Sequence, residues 1–297
     1  MGRKFAILID STGELNKEFR TKYDIDYCPM QLAFEGKEYL ASLDYDSGYT
    51  PHEIYQKEAQ GVRVTTSQVT NETYLNKFKK YLDEGKDILY IACSSALSAS
   101  VNAAKLVAKE LEKEYKGAKI ICFDSLITGY AQADMALRAS KMREEGKSLD
   151  EVFAWLDANK LRFNQFATTP TLTYLARAGR VKGSKAFLGN LFGVKPIIIS
   201  DIKGNNFAYK KVKGRKPSLI EIAKSAVEAA EDIEHQVIYI GHCDDEEAAL
   251  FVKEEILAMA KPLDIYIGPI GPIVGASCGP GMIATYSFGK EVTILGE

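Results

Sequence analysis

Two clusters of small hydroxyls carry the most suggestive chemistry in this chain. In Asp87-Ile88-Leu89-Tyr90-Ile91-Ala92-Cys93-Ser94-Ser95 an apolar run stops at two serines, and within 61–70 (GVRVTTSQVT) Thr65, Thr66 and Ser67 stand side by side. Neutral hydroxyls grouped in this way supply hydrogen bonds to a carboxylate or phosphate without a formal counter-charge. At a helix amino end the unpaired backbone N–H groups and the helix dipole strengthen the attraction. Taken alone, the same residues also read as caps: Ser94 or Ser95 for a helix over 96–115, and Thr70 for the helix that follows it.

Other chemistries have weaker support. Ser94 at a strand-to-helix corner has the place of a nucleophile, the reading of a serine-dependent hydrolase acting on lipid esters. The chain has no GxSxG, however, and its three histidines, His52, His235 and His242, lie in no motif that fixes a base beside Ser94. A phosphate-handling enzyme is the other alternative, without Walker or Rossmann glycine signals to support it. The five cysteines are scattered and form no CxxC, so neither a zinc site nor a disulfide framework is expected, and a reducing cytoplasm fits them best. No metal, and no cofactor beyond a bound ligand, is expected.

The elements that would position the hydroxyls follow from periodicity. Buried strands are expected at Phe5 to Ile9, at Asp87 to Cys93 and over 118–123, ending in Asp10-Ser11-Thr12, Ser94-Ser95 and Asp124-Ser125, and each is followed by a helical pattern. Three such ends argue for a parallel sheet with a site along one rim. A strand over 24–34, a turn at 35–39, a helix opened by Thr50 and Pro51, a helix over 74–82 and helices over 128–145 and 149–159 complete this half. From residue 161 the pattern changes to strands at 163–168, 171–178, 194–200 and 207–212, the last two a hairpin. Helices over 218–234 and 244–260 and strands at 236–241, 263–267 and 283–288 follow. The fold expected is α/β in two domains. Residues 1–160 form a Rossmann-like domain with a parallel sheet, and residues 161–297 an α+β domain with a largely antiparallel sheet.

The 297 residues carry 38 Lys+Arg against 40 Asp+Glu, and a net charge of -2 gives no general attraction to nucleic acid or to an anionic membrane. The opening apolar run, Phe5 to Ile9, is too short for a signal segment or a span. Two basic stretches, 177–183 and 210–216, read as solvated loops. The segment 268–281 (GPIGPIVGASCGPG) is so rich in Gly and Pro among apolar residues that it implies backbone held close to something; a tight connection between strands is the alternative.

With these motifs in order, the chain resembles the DegV family of bacterial fatty-acid-binding proteins, which includes the FakB subunits of fatty acid kinase. The likeness rests on Asp10-Ser11-Thr12, Thr66-Ser67-Gln68, Ser94-Ser95-Ala96-Leu97-Ser98, Asp124-Ser125, Tyr174-Leu175 with Gly179-Arg180-Val181, Lys195-Pro196-Ile197 and Gly279-Pro280-Gly281. It implies one long-chain fatty acid such as palmitate enclosed between two domains, its carboxylate held by Thr66, Ser67, Ser94 and Ser95, with Ser277 where the family usually has His. It also implies a separate ATP-dependent fatty acid kinase that phosphorylates the carboxylate, with Arg180 and Arg215 at positions linked to that partner. On this reading the chain is a carrier, not an enzyme, in lipid transport and phospholipid metabolism, with transient contact at a membrane surface. Candidates to line the tail are Leu97, Ile127, Phe187, Leu191, Phe192, Ile270 and Met282, each more readily read as plain core. The sequence departs from the family at Ser277, at Val69 where Pro usually follows Thr-Ser-Gln, and at Ala178 where a Gly is usual. Unlike an imidazole, Ser277 neither carries charge nor shuttles a proton near neutral pH.

Overall fold

The computed structural model describes residues 4–182 and 193–296, so that Phe187, Leu191 and Phe192 lie outside the described residues. Among the described residues no helix is long and apolar enough to cross a membrane.

Strands β1 (Phe5–Asp10), β2 (Ile25–Cys28), β6 (Asp87–Ala92) and β7 (Ile120–Asp124) form a sheet in the order β2-β1-β6-β7, parallel throughout. The two-residue period of the strands divides the apolar runs between two cores. Ala6, Leu8, Ile88 and Tyr90 pack with α3 (Asn71–Asp83) and α4 (Ser100–Glu114), whereas Ile7, Ile9, Leu89 and Ile91 pack with α5 (Tyr130–Glu144) and α6 (Leu149–Asn159).

The second sheet runs β10-β9-β8-β13-β11-β12. Its strands are β8 (Phe163–Thr168), β9 (Val194–Ser200), β10 (Asn206–Lys213), β11 (Val237–His242), β12 (Asp264–Pro269) and β13 (Ile283–Phe288), antiparallel except for the β11–β12 pair. Helices α8 (Arg215–Ala229) and α9 (Glu246–Met259) cover one face through Leu219, Ile222, Val252 and Ile256. The other face meets α5, where the Tyr130 ring stacks on Tyr239 at 6.0 Å and meets Tyr286 edge-on at 6.0 Å. Lying between the two sheets, α5 buries nine of its 15 residues, Gln132 and Ser140 among them. A third, antiparallel sheet, β4-β3-β5, joins β3 (Gln31–Phe34), β4 (Lys37–Leu40) and β5 (Thr65–Ser67), the last carrying the Thr-Ser cluster.

Several elements differ from the sequence expectation for identifiable reasons. The single strand expected over 24–34 is two strands in different sheets. Pro29 interrupts them, and the Met30 N–H donates to Ser11 Oγ at 2.9 Å instead of to a ladder. The strand expected over 171–178 is instead helix α7 (Thr173–Ala178), opened by Thr171 Oγ1 accepting from Thr173 N and closed by Gly179 at φ 67°. The helix expected from residue 96 starts at Ser100, because the Ser94 carbonyl takes the Leu97 and Ser98 N–H groups into a separate turn. Neither Ser94 nor Ser95 therefore caps α4. Helix α2 (Pro51–Ala59) has the expected Thr50 cap and Pro51 start, completed as a capping box by Glu53.

The Gly- and Pro-rich segment is not a plain connection. It contains helix α10 (Pro272–Cys278), whose Gly275 packs so tightly that a Cβ there would lie 2.2 Å from Tyr55 Oη. Gly279 ends the helix at φ 75°, and a Cβ there would lie 2.2 Å from the Tyr174 ring. The close approach that the composition implies is to α2 and α7.

Candidate functional site

The first corner is built on Asp10, fully buried at the carboxyl end of β1. Its carboxyl accepts the Thr12 N–H at 3.0 Å, the Cys93 N–H at 2.8 Å and the Tyr90 hydroxyl at 3.2 Å. One side chain therefore ties the ends of β1 and β6 together and fixes Thr12, whose hydroxyl sits 2.7 Å from Gln132 Oε1. The residues after β6 turn back on themselves, and β5 and α10 close the opposite side.

Between these elements lies a cleft of about 580 Å³, a volume that includes the open solvent at its mouth. Its polar wall carries the hydroxyls of Thr12, Thr66, Ser67, Ser98, Thr128 and Ser277; Leu97, Ile273 and Val274 supply apolar surface. The only charged side chain on its described lining is Arg180. Burial pushes the Cys93 thiol well above its ordinary range and the Cys278 thiol up to about 12, so both stay neutral. Such a wall, with Arg180 as its one charged group, suits an anionic oxygen.

A second space, of about 350 Å³ with open solvent again included, adjoins the cleft and shares Thr128, Asn206, Val274 and Cys278 with it. Beyond those residues it is largely apolar, bounded by Ala167, Leu175, Ile198, Met282 and Ala284, with the Tyr286 ring. Polar cleft and apolar extension thus meet along the seam between the two sheets.

The structure brings Thr66, Ser67 and Ser277 to one cleft, with Leu97 beside them and Met282 in the extension. It does not bring Ser94 and Ser95 to that lining. Ser94 is fully buried, and its hydroxyl donates to the Gly204 carbonyl at 2.8 Å; Ser95 is exposed, and its N–H donates to Asp124 Oδ1 at 3.0 Å. Ile127 and Ile270 are core residues on neither lining. Arg180 reaches the cleft with its guanidinium on the Ala178 carbonyl, whereas Arg215 is paired with Asp245 at 3.0 Å and donates to the Gly281 carbonyl. Thr12, Ser98 and Thr128 also line the cleft, and the sequence alone does not single them out as site residues. For Thr12 the signal was present, since Asp10-Ser11-Thr12 repeats the strand-end pattern of the second corner.

No histidine is hydrogen-bonded to Ser94 among the described residues, and His52 pairs instead with Asp244 at 2.7 Å. The Ser94 hydroxyl hydrogen is committed to a backbone carbonyl, so the nucleophile arrangement is not assembled at that corner.

Comparison with known proteins places these features in a group. The family model described as "Uncharacterised protein, DegV family" matches residues 4–290. A DegV domain-containing protein of Clostridium perfringens is 32% identical over 287 residues, covering 97% of this chain and 98% of that protein. Among solved structures, one described as "Fatty Acid Binding of a DegV family Protein from Thermus thermophilus" superposes with a TM-score of 0.86 at 28% identity, covering 97% of this chain and 100% of the other. A DegV lipid binding protein of Thermotoga maritima gives a TM-score of 0.83 at 25% identity, covering 97% and 99%.

Proposed function

The chain belongs to the DegV family, and from that premise we propose that it holds one long-chain fatty acid between its two sheets. The carboxylate lies in the cleft against Thr66, Ser67 and Ser277, and the tail follows the apolar extension past Met282. The observation that carries this reading is the junction itself: a hydroxyl-lined cleft and an apolar space that share four lining residues. The relatives described as binding fatty acid or lipid support it.

The energetics suit a fatty acid. Each buried methylene contributes about 0.8 kcal/mol, so roughly fourteen supply on the order of 11 kcal/mol before the costs of association. The head group then needs only to be kept hydrogen-bonded after desolvation, which neutral hydroxyls provide. We further propose that the chain acts as a carrier whose bound carboxylate is phosphorylated by a separate ATP-dependent fatty acid kinase, in keeping with the family resemblance.

Native mass spectrometry of gently purified protein tests the binding. The expected result is a co-purifying mass of one C14 to C18 acid per chain. Protein that carries no acid and fails to bind added palmitate would overturn the reading.

A further inference from the structure

Behind Thr66 and Ser277 lies another space, of about 680 Å³, which shares those two residues and Arg180 with the cleft. Its described lining carries three arginines, Arg63, Arg177 and Arg180, and a single acid, Glu58. None of the three guanidinium groups forms an ion pair with a carboxylate among the described residues. Arg177 lies 5.8 Å from the Tyr174 ring and Arg180 contacts backbone carbonyls.

Glu58 is 4% exposed, and its Oε2 has no hydrogen-bond partner among the described residues. Burial pushes its carboxyl up to about 8, with Arg177 opposing the shift. The compartment therefore holds a carboxyl whose ionisation burial opposes and three exposed guanidinium groups that form no ion pair among the described residues.

We propose that this compartment is a subsite for a phosphate-class oxyanion, in which Arg63, Arg177 and Arg180 hold a tetrahedral phosphoryl group against the wall formed by Thr66 and Ser277. Planar guanidinium groups match phosphate oxygens in bidentate geometry, and three of them around one space exceed what a single carboxylate requires. Thr66 and Ser277 line both spaces, and each hydroxyl donates to one anion at a time. Protonated Glu58 adds a donor where an ionised carboxylate would repel the ligand. The phosphoryl group arrives either free or borne on a lipid head group; the second source rests on the fatty-acid reading above, and the first does not.

The test uses the full chain with two probes, inorganic phosphate and hexadecylphosphonate, and with palmitate as the reference ligand. Arg63→Ala and Arg177→Ala are chosen because neither residue lines the cleft or its extension. If the phosphoryl group is lipid-borne, either variant weakens hexadecylphosphonate by about tenfold or more, as expected for loss of a charge-assisted bond, and leaves palmitate within about twofold. If it is free, calorimetry detects inorganic phosphate binding to the wild type that both variants lose, while the phosphonate-to-palmitate ratio is unchanged. A wild-type ratio retained in both variants, together with phosphate binding that is absent or insensitive to both, would overturn the proposal. Failure of the wild type to bind palmitate would instead overturn the fatty-acid reading, and the inorganic phosphate arm would then decide this proposal alone.

Discussion

The Ser94 hydroxyl donates to the Gly204 carbonyl at 2.8 Å, joining the corner after β6 to the hairpin between β9 and β10. A serine whose place in the sequence suggests ligand chemistry is thus a bond between the two halves of the molecule. Ser94→Ala should leave that carbonyl buried without its partner and cost about 1–3 kcal/mol in stability. Palmitate affinity should stay within about twofold. Denaturant unfolding and a fluorescent fatty-acid titration on the same samples separate the two effects; a large loss of affinity with stability intact would return Ser94 to the head-group site.

Gly204 is the other side of the same contact. It sits at φ 75°, and a Cβ there would lie 2.2 Å from Ser94 Oγ and 2.8 Å from the Leu126 Cα. Gly204→Ala should therefore destabilise the chain more than Ser94→Ala does, because backbone strain adds to the clash. Equal unfolding midpoints for the two variants would show that the hairpin moves freely relative to the corner.

Head-group contacts should follow the cleft lining. Thr66→Val and Ser277→Ala each remove a hydroxyl from the shared wall, and each should weaken fatty-acid binding by about 1.5–3 kcal/mol if its hydrogen bond to the carboxylate is charge-assisted. Ser95→Ala, on an exposed turn whose N–H is held by Asp124, should change affinity by less than about twofold. A Ser95 effect larger than the Thr66 effect would reverse this assignment.

Much of this arrangement is legible in the sequence, because each legible part depends on local pattern. The apolar runs that end in Asp10, Ser94 and Asp124 define the parallel sheet, and the bounds expected for α6, β8, β9 and β13 match the structure residue for residue. What is not legible depends on partners distant in the chain. The direction of the Ser94 hydroxyl is set by a carbonyl 110 residues away. The change of sheet at Pro29 is set by Ser11, and the helix at Thr173–Ala178 by packing against α10. Composition shows that residues 268–281 need close approach, but only the fold identifies Tyr55 and Tyr174 as the neighbours. Arg63, exposed and three residues before Thr66, becomes notable only when the structure sets Arg177 and Arg180 on the same space.

Stability should fall as pH rises through neutrality. Burial raises the carboxyls of Glu58, up to about 8, and Glu14, well above its ordinary value of 4.5, so the folded chain holds both protons after the unfolded chain has released them. Between about 4.5 and 8 the native state binds more protons, and the linkage slope is negative in that window. Glu58→Gln keeps a neutral side chain of the same shape and should raise the melting temperature at pH 8.5 relative to wild type, with little change at pH 5. Parallel wild-type and mutant curves across that range would mean that Glu58 is ionised in the folded protein.

The last prediction concerns Ser277, which stands in the wall between the cleft and the arginine-lined compartment, at a position for which the family resemblance implies His. A hydroxyl there donates one hydrogen bond to a carboxylate, enough to hold the head group, but it neither carries charge nor moves a proton near neutral pH. If phosphorylation of the bound carboxylate by a separate kinase benefits from an imidazole at this wall, Ser277→His should raise the single-turnover rate of acyl-phosphate formation. The expected gain is about a hundredfold, the low end of general acid–base effects. Lipid affinity should change little, because tail burial supplies most of it. The measurement uses a fatty acid kinase from the same organism and equal palmitate loading of both proteins. Three arginines already border the position, so they offer a competing source of charge stabilisation. A wild-type rate that Ser277→His does not increase, combined with a fall on Arg177→Ala, would assign that role to the guanidinium groups and leave the imidazole dispensable in this chain.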